Sequence, residues 1–166
     1  MLKKVVLFAL LVLPLGAFAQ EKIAYYNQGE VVVLMPEYKQ MMDSLQKLKD
    51  SLEKELRTIQ DDYTKKYEDY MKESEGLIES IKLRRLQEIA SVEERAKEFS
   101  AYAENEMYQA QKNMLEPIFK KLRDAVQAVG AANNFLYIIN GDPQLLHYIS
   151  PNAIDATPLV QKQLKL

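Results

Sequence analysis

The 166-residue sequence has no cysteine and a single histidine, His147. No disulfide can form, and neither a thiolate nucleophile nor a cysteine-ligated metal can occur. His147 falls in a strand-like segment and reads as structural. Glycine is scarce, at five residues, and no glycine-rich phosphate-binding loop is present. There is no calcium-type ligand loop. Paired carboxylates such as Asp61-Asp62 fall on an exposed helix, where no pocket would tune them. No enzymatic activity, metal or cofactor is therefore expected. The chain also lacks an excess of basic charge, with a formal net charge of −2. That argues against a nucleic-acid-binding face.

The one long apolar run lies at the start. Lys3 and Lys4 precede Val5 to Leu15, and Ala17-Phe18-Ala19 offers a small-x-small cleavage site. These are the marks of a secretory signal peptide over residues 1–19. The run is shorter than the roughly 20 residues that a membrane span needs. No cysteine follows the small residues, so no lipid anchor is offered. The mature chain, Gln20 to Leu166, is expected to be one exported domain of 147 residues and formal charge −4. Without disulfides, its stability has to come from packing or oligomerisation.

What the chain does have is a sorted helical pattern. Between Leu45 and Tyr70 the apolar or aromatic residues are Leu45, Leu48, Leu52, Leu56 and Ile59, then Tyr63, Tyr67 and Tyr70. They are spaced by three or four throughout, and the other 18 positions are polar or charged. This is a narrow stripe on a long, solvated helix. Its repeat of eleven is about 3.67 residues per turn, so the stripe barely drifts. Pro36 suits a first helical turn and marks the start. Glu73-Ser74-Glu75-Gly76 breaks the pattern, placing a turn near residues 75–80.

A second periodic run follows, from Leu86, Ile89 and Val92 to Met114 and Ile118. Ala96, Ala103 and Ala110 recur in it every seven residues, which would let a second helix approach closely. Two such segments joined by a short turn predict an αα-hairpin over residues 36–117. Pro117 is a candidate kink. Residues 20–35 and 118–166 would form a small β body. There Ile23 to Tyr26 and Phe135 to Ile139 read as strands, the latter buried on both faces. Asn140-Gly141-Asp142-Pro143 is a turn, and Leu145 to Ile149 reads as a further strand closing a β-hairpin. Thr157 reads as an N-cap before Pro158 and a last helix. The expected class is α+β, predominantly helical. Three strands leave exposed edges, so the sheet is expected to be completed by oligomerisation through Ile23, Tyr25, Phe135, Tyr137, Ile139 and Leu145.

This order of elements resembles the Skp (OmpH-like) family of periplasmic chaperones across nearly the whole mature chain. The segments that carry the resemblance are Lys22-Ile23-Ala24-Tyr25, Leu115-Glu116-Pro117-Ile118, Phe135-Leu136-Tyr137-Ile138-Ile139 and Asp155-Ala156-Thr157. Ala24 stands where the family pattern has glycine. The resemblance implies a homotrimer with three helical tentacles around a cavity. That cavity would hold unfolded outer-membrane β-barrel proteins in the periplasm, without nucleotide. The family is often strongly basic, whereas Asp61 to Phe99 here holds 8 basic and 11 acidic residues. Binding of anionic lipopolysaccharide or membrane, and electrostatic capture of acidic clients, are disfavoured accordingly.

A holdase needs many weak contacts, and Met-rich or Tyr-bearing surfaces supply them. The client-binding candidates are Tyr63, Tyr67, Tyr70 and Met71 near the turn, and Tyr102 and Tyr108 on the second helix. The last two lie off the seam and are the stronger candidates for facing a cavity. The competing reading packs Tyr63, Tyr67 and Tyr70 against Leu86, Ile89 and Val92. A structural coiled-coil spacer or tether of the envelope is the rival function.

Overall fold

The computed structural model describes residues 22–166. The signal peptide expected over residues 1–19 lies outside the described residues. The elements are β1 (Lys22–Tyr26), α1 (Gln28–Leu34), α2 (Pro36–Glu73), a 3-10 turn (Ser74–Gly76) and α3 (Glu79–Asn133). They are followed by β2 (Phe135–Asn140), β3 (Ile154–Asp155) and α4 (Thr157–Leu164). The class is α+β and predominantly helical. The chain divides into two compact units, Val32–Arg123 and the remainder up to Val31 and from Asp124 onwards.

In the Val32–Arg123 unit, α2 begins at Pro36 and runs for 38 residues. Pro36 has no N–H to leave unpaired, and its fixed φ suits the first turn. Buried Met41, Leu45 and Ile59 lie on the apolar stripe or its backward extension. Between the two long helices, Ser74–Gly76 coil tightly, Leu77 and Ile78 follow, and α3 starts at Glu79. α3 then continues through Pro117, whose ring nitrogen cannot donate to the Asn113 carbonyl.

The other unit is built on a three-stranded sheet in the order β2-β1-β3, parallel throughout. α3 ends with Asn134 in the left-handed conformation, φ 53°, which asparagine tolerates at a helix C-terminus. The chain then enters β2. Ala24 and Tyr26 of β1 point to a core shared with Val31, Ala125, Val129 and Val160, all buried. Burial raises the pKa of the Tyr26 phenol, which donates to Gln28 Oε1 at 3.2 Å. Asn27 caps α1 by accepting from Glu30 N–H at 3.1 Å. Gly141 is fixed by space: a Cβ there would lie 2.8 Å from Tyr25 Cδ2 and 3.3 Å from Ile149 Cδ1.

Three sequence expectations for this unit are corrected. Leu145 to Ile149 is not a strand, and no β-hairpin forms. Asp142 curls the chain instead: its side chain accepts from Gln144 N–H at 2.9 Å, and its carbonyl accepts from Leu145 and Leu146 N–H. Pro143 has no N–H to give to a ladder. The third strand is Ile154–Asp155, parallel to β1. Thr157 does not cap α4. It lies inside the helix, and Asp155 Oδ1 accepts its N–H at 2.8 Å. Its own hydroxyl accepts from Asn27 N–H at 3.0 Å, tying α4 to the end of β1. Finally, β2 is not buried on both faces in the single chain, since Tyr137 is 61% exposed.

Candidate functional site

Ion pairs join α2 and α3 at three levels: Glu73–Arg85 at 3.9 Å, Asp62–Arg95 at 3.0 Å, and Glu37–Lys121. The two residue numbers total 157 or 158 in every pair. One antiparallel register therefore holds from the turn to the open end, with no insertion in either helix. Such partly exposed pairs contribute at most about 1 kcal/mol each, so their larger effect is on registry. The Lys121 ammonium, hydrogen-bonded to Glu37, holds that carboxyl below the usual carboxylate range.

The seam runs through Met41, Leu45 and Ile59 on α2 and Ile89, Val92 and Ile118 on α3, all buried. At about 100° per residue, positions on either side of this seam can be assigned. Glu37, Asp62 and Glu73 fall on one side of α2, with Ser44, Thr58 and Asp69. That face is polar and carries all three ion pairs. Met42, Tyr67 and Met71 fall on the other side, 48%, 47% and 58% exposed.

α3 repeats the division. Leu83, Leu86 and Tyr108 share one side with Leu115 and Phe119, and the first three are 58%, 46% and 61% exposed. A groove of about 350 Å³ joins this side to the Met42–Met71 side of α2. Leu52, Leu56, Ala103 and Met107 form its floor, and Lys49, Glu53 and Glu104 its rim. The hairpin thus has one face that carries most of its exposed apolar side chains, interrupted by the charged groove rim, and one face that carries the ion pairs between the helices. A second groove, near Pro117, opens on the ion-paired face beside Glu37 and Lys121.

The sequence candidates separate across this geometry. Tyr67, Met71 and Tyr108 share the apolar face, the first two towards the turn and Tyr108 towards the open end. Tyr63 and Tyr70 are half-buried along the seam. The Tyr63 and Tyr67 rings stack at 6.2 Å with an interplanar angle of 8°. Tyr102 lies on the ion-paired side, 5.9 Å from Phe99. Leu86 does not belong to the seam as its spacing suggested. Half-buried Arg85 holds that position, drawn in by Glu73, and Leu86 turns outward.

Met42, Leu83, Leu115 and Phe119 were missed as surface candidates. Their signal was present as apolar residues just off the stripe, such as Tyr108, Leu115 and Phe119 at intervals of seven and four. Ala103 was expected to close the helices together, yet its single methyl group leaves the groove floor unfilled.

In the other unit, the outer face of the sheet collects the oligomerisation candidates. Ile23 pairs level with Tyr137, and Tyr25 with Ile139. Ile23, Tyr137 and Ile139 are 49%, 61% and 43% exposed, while Tyr25 and Phe135 are half-buried. Leu145, 70% exposed, sits in the Asp142 turn rather than on a strand. Among the described residues, no group of three or more His, Cys, Asp or Glu side chains could hold a metal ion, and no helix is long and apolar enough to cross a membrane.

The model of the OmpH-like outer membrane protein family matches residues 22–164. The chain belongs to the OmpH-like family. Among solved structures, it is similar to a protein from Caulobacter crescentus CB15 assigned as an OmpH-like outer membrane chaperone, known from a crystal structure at 2.83 Å. The TM-score is 0.75 at 12% identity, over 88% of this chain and 85% of that one. At that identity the likeness establishes the fold. No curated protein matches the chain.

Proposed function

We propose that this chain is an ATP-independent holdase chaperone of the periplasm. It binds unfolded outer-membrane β-barrel proteins in a cavity between helical hairpins and prevents their aggregation. The observation that carries this reading is the apolar face of the hairpin. Exposed apolar groups gathered on one face mark an interaction surface. Here Met42, Tyr67, Met71 and Tyr108 stand with Leu83 and Leu86 on that face, and Met and Tyr side chains adapt to varied partners. The grooves on the hairpin are open, so contacts are individually weak and release needs no nucleotide.

A homotrimer fits the sheet. Parallel sheets are ordinarily covered on both faces, and Ile23, Tyr25, Phe135, Tyr137 and Ile139 present one that the chain covers only in part. We assign that face, with Leu145 beside it, to contacts between copies. The acidic balance of residues 61–99 argues against anionic lipopolysaccharide or membrane as the principal partner. No enzymatic step is assigned.

Light-scattering mass on a sizing column tests the proposal. Mature chain, alone and with a urea-diluted outer-membrane barrel protein, is expected to show a mass near three copies. That mass should shift to a soluble complex when the unfolded barrel is added. A stable oligomer that leaves the barrel to aggregate would refute the holdase reading and favour a structural spacer of the envelope.

A further inference from the structure

We propose that the groove centred on Ala103 is an anchor for one aromatic side chain of an extended, unfolded client. The inference rests on the holdase reading and adds a defined site to what is otherwise a diffuse surface. Four apolar side chains make the floor, two from each helix: Leu52 and Leu56, Ala103 and Met107. The buried part of any occupant is therefore apolar. The Met107 thioether favours an aromatic over an aliphatic occupant, because sulfur at a ring edge adds a favourable contact.

Size and charge narrow the choice further. About 350 Å³ is near the lower end of the range for small-molecule pockets. It accepts a single side chain, not a helix. An extended chain delivers such side chains one at a time, with alternate residues pointing the same way. On the rim, Lys49 and Glu53 satisfy each other at 3.6 Å. Glu104 has no ion-pair partner among the described residues, which leaves the rim with one net negative charge. It is complementary to a neutral or basic segment and unfavourable to an acidic one. Unfolded β-barrel strands meet these terms, with alternating apolar residues and aromatic girdle positions.

The groove also has a place in the surface around it. Tyr67 and Met71 lie on the same face towards the turn, and Tyr108 and Leu115 towards the open end. A strand seated at Ala103 can therefore make weaker contacts in both directions.

Two measurements test the anchor. In the first, Ala103→Leu fills the groove while adding apolar surface. Gln109→Leu adds the same surface to the ion-paired face as a control. Ala103→Leu is expected to weaken the complex with a urea-diluted barrel protein about fivefold, and Gln109→Leu to leave it unchanged. A merely greasy surface would bind at least as well after Ala103→Leu, and that result overturns the anchor. The second uses the unaltered chain with 13C-methyl methionine. The Met107 methyl signal is expected to move upfield, by ring current, as the barrel protein is added.

A soluble complex in which Met107 stays still while Met71 moves overturns the anchor and leaves the holdase reading standing. Absence of any complex removes the holdase reading itself, and the anchor with it. A Met107 shift that depends only on the concentration of the chain, without client, assigns the groove to a second copy and overturns the proposal.

Discussion

Replacing Gly141 by alanine places a methyl carbon in a slot of known dimensions. The new Cβ would meet Tyr25 Cδ2 at 2.8 Å and Ile149 Cδ1 at 3.3 Å, with the Tyr26 carbonyl oxygen at 3.5 Å on the same approach. Carbon atoms sit comfortably at about 3.5–4.0 Å, so the Tyr25 ring has to retreat by most of an ångström. The Gly141 N–H donates to the Tyr26 carbonyl at 2.8 Å, which prevents the backbone from moving instead. Overpacking of this kind costs about 1–3 kcal/mol. For a chain of this length each kcal/mol lowers Tm by about 2–4 °C, so the clash alone is expected to cost roughly 2–12 °C. Gly141 has no positive φ, so no native backbone strain is added, and the unfolded-state freedom lost with the change offsets about 0.4–1 kcal/mol of the clash.

Gly76 supplies the control, since a Cβ there meets nothing within 4 Å and its φ is likewise not positive. Gly76→Ala removes unfolded-state freedom alone and is expected to stabilise by about 0.4–1 kcal/mol. Thermal melts followed by circular dichroism at 222 nm, at one fixed protein concentration, compare the two. If Gly141→Ala melts within a degree of the parent, or if Gly76→Ala is equally damaging, the reasoning from contact distance fails. Tyr25→Leu should recover part of the Gly141→Ala loss, because it is the ring that blocks the methyl.

Two further outcomes are expected. The Glu37 carboxyl is held below its ordinary pKa by Lys121, so the pair contributes above the ordinary carboxylate value and is lost as pH falls through the lowered one. Lys121→Met should therefore cost less than about 1 kcal/mol at pH 7, and the cost should shrink as the pH is taken below the ordinary carboxylate range; a cost that does not fall with pH refutes the assignment. The turn end of the hairpin should open more readily than the open end. Arg85 Nε is buried there without an acceptor, and Ile78 is 69% exposed. Amide hydrogen exchange should be faster over residues 74–86 than over residues 41–59, and equal protection would contradict this.

The hairpin was legible in the sequence because its signals are local. A stripe with spacings of three and four, Pro36 at a helix start and a breaker cluster before Leu77 each act within a few residues. The division into two faces was not legible in the same way. It depends on the phase of one helix against the other, which neither stripe contains alone, and on Arg85 rather than Leu86 taking the seam position. Around the sheet, Leu145 to Ile149 had the composition of a strand. Asp142 captured the backbone donors of residues 144–146 first, and strand composition cannot report that competition. Thr157 had the composition of a cap, but its hydroxyl was taken by Asn27.

The constant register of the ion pairs makes hairpin length a separable, adjustable quantity. Because Glu37–Lys121, Asp62–Arg95 and Glu73–Arg85 share one numerical offset, a segment cannot be removed from α2 alone without unpairing everything on one side of the cut. Removed in matched pairs, it can. Eleven residues make just over three whole turns, about 16 Å of helix, so excising residues 46–56 together with residues 102–112 would return every remaining side chain to nearly its original face. The reach of the hairpin would then change by whole steps, while the sheet keeps its own sequence intact.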